Sequence, residues 1–403
     1  MRVLQINPFY NYGSTGKIVK DISDSLLRDG HESYICYSQD LGFEKTEGVE
    51  FFKYVYLLEK YICAFLTRIF GNRYGNVFFS TMRLKKYIKK INPDVVHIHC
   101  LNDYSANLYT LLDFLKKNKY RTVITEHAEF YHTGNCAYAF ECDKWKTGCY
   151  ECPRLYYAVK SKLFDSTSRN WKKMRKAFDG ADNVTLVSVS EWLSTRTQAS
   201  EITRNVKNRV VLNGINTSLF RNYAKEEVSE DILQFFDKKT VLFVTSSFYS
   251  PVKGGTIVLE MARKLPQYNF VILCSGQVDC LGLENVKHID FVKDQETLAK
   301  YYSMADVTLL TSKKETFSMP VAESLCCGTP LVGFYAGGPE SIAIEEYCEF
   351  VDYGNVDLLC EKLTQAMNKT FDKKKIAERA KAKYSAQTMA EEYTKVYKEI
   401  INQ

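Results

Sequence analysis

The 403-residue sequence has no apolar run long enough to cross a lipid bilayer. Its most apolar window, residues 54–70, is interrupted by charged side chains and is shorter than the about 20 residues that a membrane-spanning helix needs. The opening residues, MRVLQINPFY, also lack the layout of a signal peptide, so we expect a cytoplasmic protein. In that reducing compartment the thirteen cysteines would be thiols or metal ligands rather than disulfides.

The sequence also lacks a strong excess of charge of one sign. A net charge of +6 is modest, and no dense basic stripe suggests a nucleic-acid partner. Hydrophobic residues make up 45% of the chain and charged residues 25%, which is typical of folded globular proteins and excludes a disordered chain. The length suits two domains of about 200 residues each.

Short apolar runs alternate with helical patterns in both halves of the chain. This alternation predicts parallel sheets covered by helices, and hence two doubly wound Rossmann-like α/β domains. The expected strands lie at residues 3–6, 95–99, 123–125, 184–190, 241–245, 270–274, 286–292, 307–311 and 330–334.

One short segment combines two acids with a diglycine turn. Seven residues separate Glu315 from Glu323. A helix starting at Pro320 would place Glu323 in its first turn, and Glu315 would end the preceding strand. Gly337 and Gly338 follow an apolar run and begin another helix, whose free N–H groups can hold a diphosphate. The combination indicates a sugar-nucleotide site, and the alternative is two solvated glutamates beside an ordinary turn.

These residues resemble the signature of retaining GT-B glycosyltransferases of family 4. The resemblance implies two Rossmann-like domains facing a central cleft: an acceptor-binding domain at residues 1–215 and a nucleotide-sugar domain at residues 216–385. A last helix, 386–403, would pack back on the first domain.

The same resemblance assigns roles in the donor site. Glu315 would contact the transferred sugar and Glu323 the ribose, while the strand ending at Val292 would face the base. Many relatives have glycine where this chain has Ser318. Backbone N–H groups that bind the sugar and phosphate would come from Thr316, Phe317, Ser318 and Met319.

Two further segments are candidates for phosphate binding. Gly13 and Gly16 lie in GSTGK after the first strand, in a spacing too short for a Walker loop. The resemblance places this loop near the donor phosphates and the acceptor. Lys253, before two glycines at a helix start, can reach a diphosphate, although a solvated lysine is the alternative. An arginine often joins this lysine in the family, but Ser246 and Ser247 stand there instead.

Histidines end two of the predicted strands. His127 follows the strand at residues 123–125, and the resemblance implies that it contacts the sugar or reaction centre. His127 and Glu315 are therefore the predicted catalytic residues, with Glu126 and His132 as weaker candidates. His97 and His99 share one strand face and are expected to be packed rather than metal-binding.

Four cysteines fall within residues 132–153, the last two as a CxxC pair. Their number and spacing suit tetrahedral zinc in a structural role. Coincidental thiols and a redox CxxC remain the alternatives. The predicted ligands are Cys136, Cys142, Cys149 and Cys152.

Residues 53–90 are rich in aromatic and basic side chains, with Glu59 as the only acid. Such a segment suits peripheral contact with an anionic membrane. A buried helix followed by a solvated basic helix would give the same composition.

The prediction is therefore an enzyme that moves a sugar, with retention, from a nucleoside diphosphate sugar to an acceptor hydroxyl. No aspartate-x-aspartate motif is present, so no catalytic metal is expected. The acceptor would be a glycan or lipid-linked oligosaccharide of capsule, exopolysaccharide or O-antigen synthesis. The alternatives are a non-catalytic glycan- or nucleotide-binding scaffold of the same fold, a sugar-nucleotide epimerase, and a phosphorylase.

Overall fold

The computed structural model describes residues 1–290, 292 and 294–403. These residues form two units, which are treated separately below. The first comprises Met1–Leu212 with Met389–Gln403, and the second Asn213–Thr388. Within the described residues, no helix is both long and apolar enough to cross a bilayer.

The first unit is built on one parallel sheet. Its strands are β1 (Arg2–Asn7), β2 (Glu32–Tyr37), β3 (Val49–Lys53), β4 (Val95–Ile98), β5 (Thr122–Glu126), β6 (Val184–Ser188) and β7 (Lys207–Val210). They are ordered β3-β2-β1-β4-β5-β6-β7, and every neighbouring pair is parallel. Central strands such as β4 are buried along their length and mostly apolar, because helices cover both faces of the sheet.

Helices connect these strands. They are α1 (Gly13–Arg28), α2 (Leu57–Phe70), α3 (Phe79–Ile91), α4 (Leu108–Lys117), α5 (Phe130–Thr133), α6 (Leu155–Val159), α7 (Thr167–Phe178) and α8 (Glu191–Ala199). The sequence predicted that residues 13–17 form a loop before a helix that begins at Ile18. Helix α1 begins at Gly13 instead, so the predicted loop conformation is wrong. Gly13 and Gly16 instead lie in the first turn of α1, and residues 8–12 connect this helix to β1.

The second unit has a six-stranded parallel sheet. Its strands are β8 (Thr240–Thr245), β9 (Asn269–Cys274), β10 (Val286–Ile289), β11 (Val307–Leu310), β12 (Leu331–Phe334) and β13 (Cys348–Val351), ordered β10-β9-β8-β11-β12-β13. The helices are α9 (Glu230–Leu233), α10 (Gly255–Lys264), α11 (Gln295–Met304), α12 (Met319–Cys326), α13 (Gly338–Ile342), α14 (Val356–Asn368) and α15 (Lys373–Tyr384). Two parallel, helix-covered sheets confirm the predicted Rossmann-like fold class.

The last helix, α16 (Ala386–Ile401), contributes to the core of the first unit. Its buried stripe includes Tyr393 and Tyr397, which pack with Val3 and Val95. Their hydroxyl groups also reach polar atoms under the sheet: Tyr397 contacts Nδ1 of His97 at 2.6 Å, and Tyr393 contacts the Thr125 hydroxyl at 2.9 Å.

Candidate functional site

Three segments with predicted donor-site residues follow neighbouring strands of the second unit. Lys253 lies after β8, Glu315 after β11 and Gly337 after β12, and these strands are adjacent. Because the strands are parallel, their carboxyl ends meet at one edge of the sheet, where α/β proteins place their ligands. Val292 follows β10, which lies at the edge of the sheet, two strands from β8.

Lys253 and Glu315 form an ion pair, with Nζ 2.5 Å from Oε1. The lysine loop is fixed against the end of β11, since the Thr311 hydroxyl donates to the Lys253 carbonyl at 2.9 Å. The packing requires glycine beside the lysine: Gly254 has φ +66°, and a Cβ there would lie 2.4 Å from the Thr311 carbonyl oxygen. These contacts fix the backbone of Lys253 beside the segment that leads to Glu315.

The sequence predicted that Glu315 would end β11, and this prediction is wrong. Glu315 forms an isolated parallel bridge with Gly337, five residues after the strand. Its N–H donates to the Ala336 carbonyl at 3.0 Å, and its carbonyl accepts from the Gly338 N–H at 2.9 Å. A Cβ on Gly338 would lie 2.3 Å from the Thr316 carbonyl oxygen, so the diglycine lets the two segments approach closely.

The predicted free amides at Gly337 and Gly338 are wrong. The Gly337 N–H donates to Oε1 of Glu340 at 2.7 Å, and the Ala336 N–H donates to the other oxygen at 3.0 Å. The Gly338 N–H donates to the Glu315 backbone carbonyl. The carboxylate of Glu340 thus occupies the place where a phosphate was expected, and the diglycine serves close packing.

The start of α12 is the stronger candidate for an anion site. Ser318 is its N-cap residue, with φ +79°, and its side chain does not cap the helix. The Ser318 hydroxyl oxygen is buried and has no partner among the described residues. Thr316 and Phe317 are buried just before it, and Met319 begins the helix. Helix-start N–H groups attract anions. Pro320 has no N–H and the Val321 N–H donates to the Ser318 carbonyl at 3.2 Å, so the Met319 N–H is the candidate donor in the first turn of α12.

Glu323 lies one residue beyond the first turn of α12, because the helix begins at Met319 rather than Pro320. The Tyr302 hydroxyl donates to Glu323 Oε2 at 3.1 Å. Burial, and then the adjacent carboxylate, raises the pKa of Tyr302 well above its usual value. This tyrosine was not predicted as a site residue, since a tyrosine on an amphipathic helix is usually part of the core.

In the first unit, His127 belongs to a hydrogen-bonded chain at the ends of adjacent strands. Its Nε2 lies 3.2 Å from Nδ1 of His99, which follows β4. Nε2 of His99 lies 3.1 Å from Oε1 of Gln5, on β1. Gly13 and Gly16 begin the helix that follows β1, so they belong to the same end of the sheet as His127.

The chain of contacts fixes the tautomer of His127. Nε2 of Gln5 faces the Val19 carbonyl at 3.2 Å, and a carbonyl only accepts, so Gln5 presents its oxygen to His99. Nε2 of His99 therefore carries a proton. Burial lowers the pKa of His99 well below its usual value, which leaves Nδ1 as an acceptor. His127 must donate to it through Nε2–H.

His127 thus has Nδ1 as its acceptor nitrogen. Burial lowers the pKa of His127 to about 4, so the ring is neutral at neutral pH. A neutral imidazole in this tautomer accepts a hydrogen bond from a hydroxyl group and does not present positive charge. Gln5, which sets the arrangement, has no sequence motif that marks it.

Glu126 and His132 belong to a separate buried cluster. His132 Nδ1 lies 3.1 Å from Glu126 Oε1, and its Nε2 lies 3.6 Å from Glu129 Oε1. Burial alone would lower the pKa of His132, but the two carboxylates outweigh it and raise that pKa. Arg196 donates to Glu129 at 2.5 Å, and the Ala139 N–H donates to it at 2.7 Å. The cluster anchors the cysteine-bearing segment.

The four cysteines of that segment are only partly buried. Burial is the main cause that raises the pKa of Cys149 to about 12, and charges on Cys142 and Cys152 contribute to the increase. Within the described residues, however, no three His, Cys, Asp or Glu side chains are arranged to hold a metal ion. Structural zinc at Cys136, Cys142, Cys149 and Cys152 stays a prediction from their spacing.

Two family models match the chain. One described as Glycosyltransferase Family 4 covers residues 15–219, and one described as Glycosyl transferases group 1 covers residues 225–383. The chain is 23% identical to WcaC of Escherichia coli (strain K12), a candidate colanic acid biosynthesis glycosyl transferase, over 99% of this chain and 100% of WcaC. It is 28% identical to the N-acetyl-alpha-D-glucosaminyl L-malate synthase of Bacillus anthracis over 47% of this chain and 48% of that protein.

Solved structures show the same fold at low sequence identity. Sucrose-phosphate synthase of Thermosynechococcus elongatus aligns with a TM-score of 0.69 at 14% identity, over 99% of both chains. HepE of Anabaena, solved with UDP, aligns with a TM-score of 0.65 at 16% identity, over 99% of this chain and 100% of HepE. WaaG, a glycosyltransferase involved in lipopolysaccharide biosynthesis, aligns with a TM-score of 0.66 at 14% identity, over 98% of this chain and 99% of WaaG.

Proposed function

Because the chain belongs to glycosyltransferase family 4, we propose that it transfers a sugar from a nucleoside diphosphate sugar to an acceptor hydroxyl, with retention of configuration. The observation that carries this proposal is the 2.5 Å Lys253–Glu315 pair directly before the start of α12. A cation, a carboxylate and a helix start at adjacent strand ends suit a diphosphate joined to a sugar. The UDP and UDP-glucose complexes of HepE support the same donor class.

In this proposal, N–H groups and a cation bind the phosphates, and carboxylates bind the hydroxyl groups. The N–H groups at the start of α12 and Lys253 would stabilise the leaving diphosphate, where negative charge develops in the transition state. Glu315 would accept hydroxyl groups of the sugar, and Glu323, oriented by Tyr302, those of the ribose. Front-side attack, with the leaving phosphate taking the acceptor proton, is the mechanism that the family resemblance implies.

The second phosphate cation remains to be assigned, because Ser246 and Ser247 replace the arginine that many relatives carry. Lys313 is a candidate that its sequence position did not suggest. Its N–H donates to the Val252 carbonyl at 2.7 Å, so its backbone lies beside the Lys253 loop. Its Nζ lies 5.6 Å from the Tyr353 ring centroid, so a role at the phosphates would require the side chain to leave that ring.

The first unit would supply the acceptor side. His127, as a neutral acceptor at Nδ1, suits a hydroxyl group of the transferred sugar or of the acceptor. WcaC, with its candidate role in colanic acid biosynthesis, supports an acceptor of polysaccharide assembly. We therefore propose a growing glycan, carried on a lipid, as the acceptor, for capsule, exopolysaccharide or O-antigen synthesis.

Thermal-shift binding of UDP, GDP, ADP and their common sugar conjugates tests the donor site. A ligand at about 100 times its dissociation constant stabilises a protein by roughly 2.7 kcal/mol. Losing a hydrogen-bond partner that carries charge costs about 1.5 to 3 kcal/mol. One nucleotide should therefore stabilise the wild type and much less the variant Glu323→Ala.

The matched control is Glu345→Ala, which removes an exposed acid far along the chain from α12. It should keep the wild-type shift. If no nucleotide stabilises the wild-type protein, or if both variants respond alike, the donor-site assignment is wrong.

A further inference from the structure

Large apolar side chains are exposed along one stripe of α2. Leu58 is 73% exposed, Tyr61 71% and Phe65 61%, at the three- and four-residue spacing that places side chains on one face of a helix. Leu57 and Ile62 flank them and are also exposed. The opposite face carries the buried residues of the helix. Folded proteins rarely leave such a contiguous apolar stripe open to water without a binding role.

Two neighbouring segments extend the stripe. At the start of α2, Glu59 Oε1 accepts the N–H groups of Phe78 and Phe79, at 2.6 and 2.7 Å, and both rings are more than half exposed. At its end, Phe164 stacks on Phe70 with 6.0 Å between ring centroids. We call the resulting surface the α2 face; it comprises Leu57, Leu58, Tyr61, Ile62, Phe65, Phe70, Phe78, Phe79, Leu163 and Phe164.

The charges around the α2 face are mainly positive. Arg68 and Lys162 are exposed where the two segments meet, since the Lys162 N–H donates to the Arg68 carbonyl at 3.0 Å. The bordering acids are engaged by the chain itself: Glu59 binds the amides described above, and Asp165 accepts from the Cys152 N–H at 2.8 Å.

We propose that the α2 face docks this enzyme on a bilayer that contains anionic lipids. Rings and leucines that project from a helix lying flat can enter the boundary between headgroups and acyl chains, while neighbouring cations attract the lipid phosphates. The 14-residue helix is too short to span a bilayer, so it lies on the surface. The inference rests on the proposed function only for its purpose, because membrane docking would bring the enzyme to a lipid-linked acceptor.

Flotation of the full-length protein with vesicles tests the proposal. The probes are vesicles of phosphatidylcholine alone and vesicles that also contain phosphatidylglycerol, each at low and at high salt. The wild type should float with the anionic vesicles at low salt. The double variant Leu58→Ser/Phe65→Ser should lose roughly tenfold or more in partitioning, because two inserted side chains are removed.

Two controls separate the contributions. Leu41→Ser, which changes a half-exposed leucine outside the face, should float like the wild type. Arg68→Glu/Lys162→Glu should lose the preference for anionic vesicles. All the changed side chains are exposed, and thermal unfolding of each variant checks that it is folded.

The proposal is overturned if the wild type stays with neither vesicle, or if Leu58→Ser/Phe65→Ser floats as well as the wild type. It is also overturned if the wild type is a dimer that this double variant converts to a monomer, since the face would then bind a second copy. Nucleotide thermal shifts on the same samples distinguish the two proposals: a failure of flotation with intact nucleotide binding rejects only the docking face.

Discussion

The histidine chain of the first unit and the acidic segment of the second both stand at the carboxyl ends of parallel strands, but they are organised by different forces. At His127 the groups are neutral, and each hydrogen bond fixes the direction of the next, back to the Val19 carbonyl. At Glu315 the carboxylate is paired with the Lys253 ammonium group, and the nearby Gly337 N–H donates to the Glu340 carboxylate.

The two sites differ in which protein contacts would change when a ligand binds. Binding at His127 needs no rearrangement of charge, because the acceptor nitrogen is already set by its neighbours. If a diphosphate binds beside Glu315 as proposed, Lys253 would pair with the phosphate in place of the Glu315 carboxylate or with both groups. Hydrogen bonds fix the tautomer of His127 before a ligand binds, whereas the ion pair at Glu315 would change when an anion binds. The following variants test these two arrangements.

The largest effect is expected for Glu315→Gln. The amide keeps the size of the side chain but removes the charge that pairs with Lys253. We expect kcat to fall about 10- to 150-fold, because a charged acceptor for the sugar hydroxyl groups, worth about 1.5 to 3 kcal/mol, is lost. The measurement is sugar transfer from the nucleotide sugar identified by thermal shift, with Glu345→Gln as the control that should keep wild-type rates. A Glu315→Gln enzyme within a factor of about three of wild type would contradict the catalytic assignment.

A smaller loss is expected for His99→Leu, which leaves His127 without its hydrogen-bond acceptor. We expect kcat to fall about tenfold or more, because the tautomer of His127 is no longer set. His99→Asn keeps an acceptor close to the position of Nδ1 and should recover part of the rate. A purely structural role would affect both variants through stability alone.

Nitrogen-15 NMR of labelled histidine gives the direct measurement, and the sequence has only six histidines to assign. The wild type should show His127 protonated at Nε2, and His99→Leu should show a mixture of tautomers. A wild-type spectrum with the proton on Nδ1 of His127 would refute the chain of assignments that begins at Gln5.

The same histidines should make the protein sensitive to acid. Burial lowers the pKa of His97, His99 and His127, so below about pH 6.5 the unfolded chain binds protons that the folded chain does not. The free energy of unfolding should therefore fall as the pH drops from about 6.5 towards 4, and His127, with a pKa of about 4, should alone account for up to about 3 kcal/mol of this fall. His132 acts in the opposite direction, since its pKa is raised and its contribution is lost as the pH rises.

Urea unfolding at neutral and acidic pH measures this dependence. His127→Gln should flatten it, because one of the three suppressed protonations is removed. If the variant and the wild type lose the same stability on acidification, His127 is not held neutral in the folded protein.

Tyr302→Phe should have a milder effect, confined to donor binding. Losing one hydrogen bond to the Glu323 carboxylate is worth about 1.5 kcal/mol, or roughly tenfold in the donor KM, with kcat nearly unchanged. Tyr301→Phe, the neighbour on the same helix, serves as the control because its ring packs against Phe235 and Phe236 instead. A change in kcat rather than KM would show that Tyr302 acts on the reaction and not on the ribose carboxylate.

The sequence predicted nine of the thirteen strands in the described residues, because buried parallel strands have apolar runs. It missed β2 and the edge strands β3, β7 and β13, whose sequences are more polar. It was insufficient where a contact joins distant segments. Glu340 as the partner of the Gly337 amide, Gln5 as the origin of the histidine chain, and Tyr302 all depend on tertiary packing that no local pattern records. The start of α12 was misplaced by one residue, since Met319 precedes Pro320 in the first turn.

The smallest effect is expected for Ser318→Gly. Ser318 has φ +79° and a buried hydroxyl without a partner among the described residues, and both features cost stability. Glycine removes both costs but adds freedom to the unfolded chain, so the net gain in the free energy of unfolding should be about 1 kcal/mol. Gly354→Ser places the same side chain at another positive φ, in open space, and should show the backbone cost alone. If Ser318→Gly instead weakens nucleotide binding while it stabilises the fold, the unpaired hydroxyl is a donor-site ligand, and the strain at the start of α12 is retained for binding.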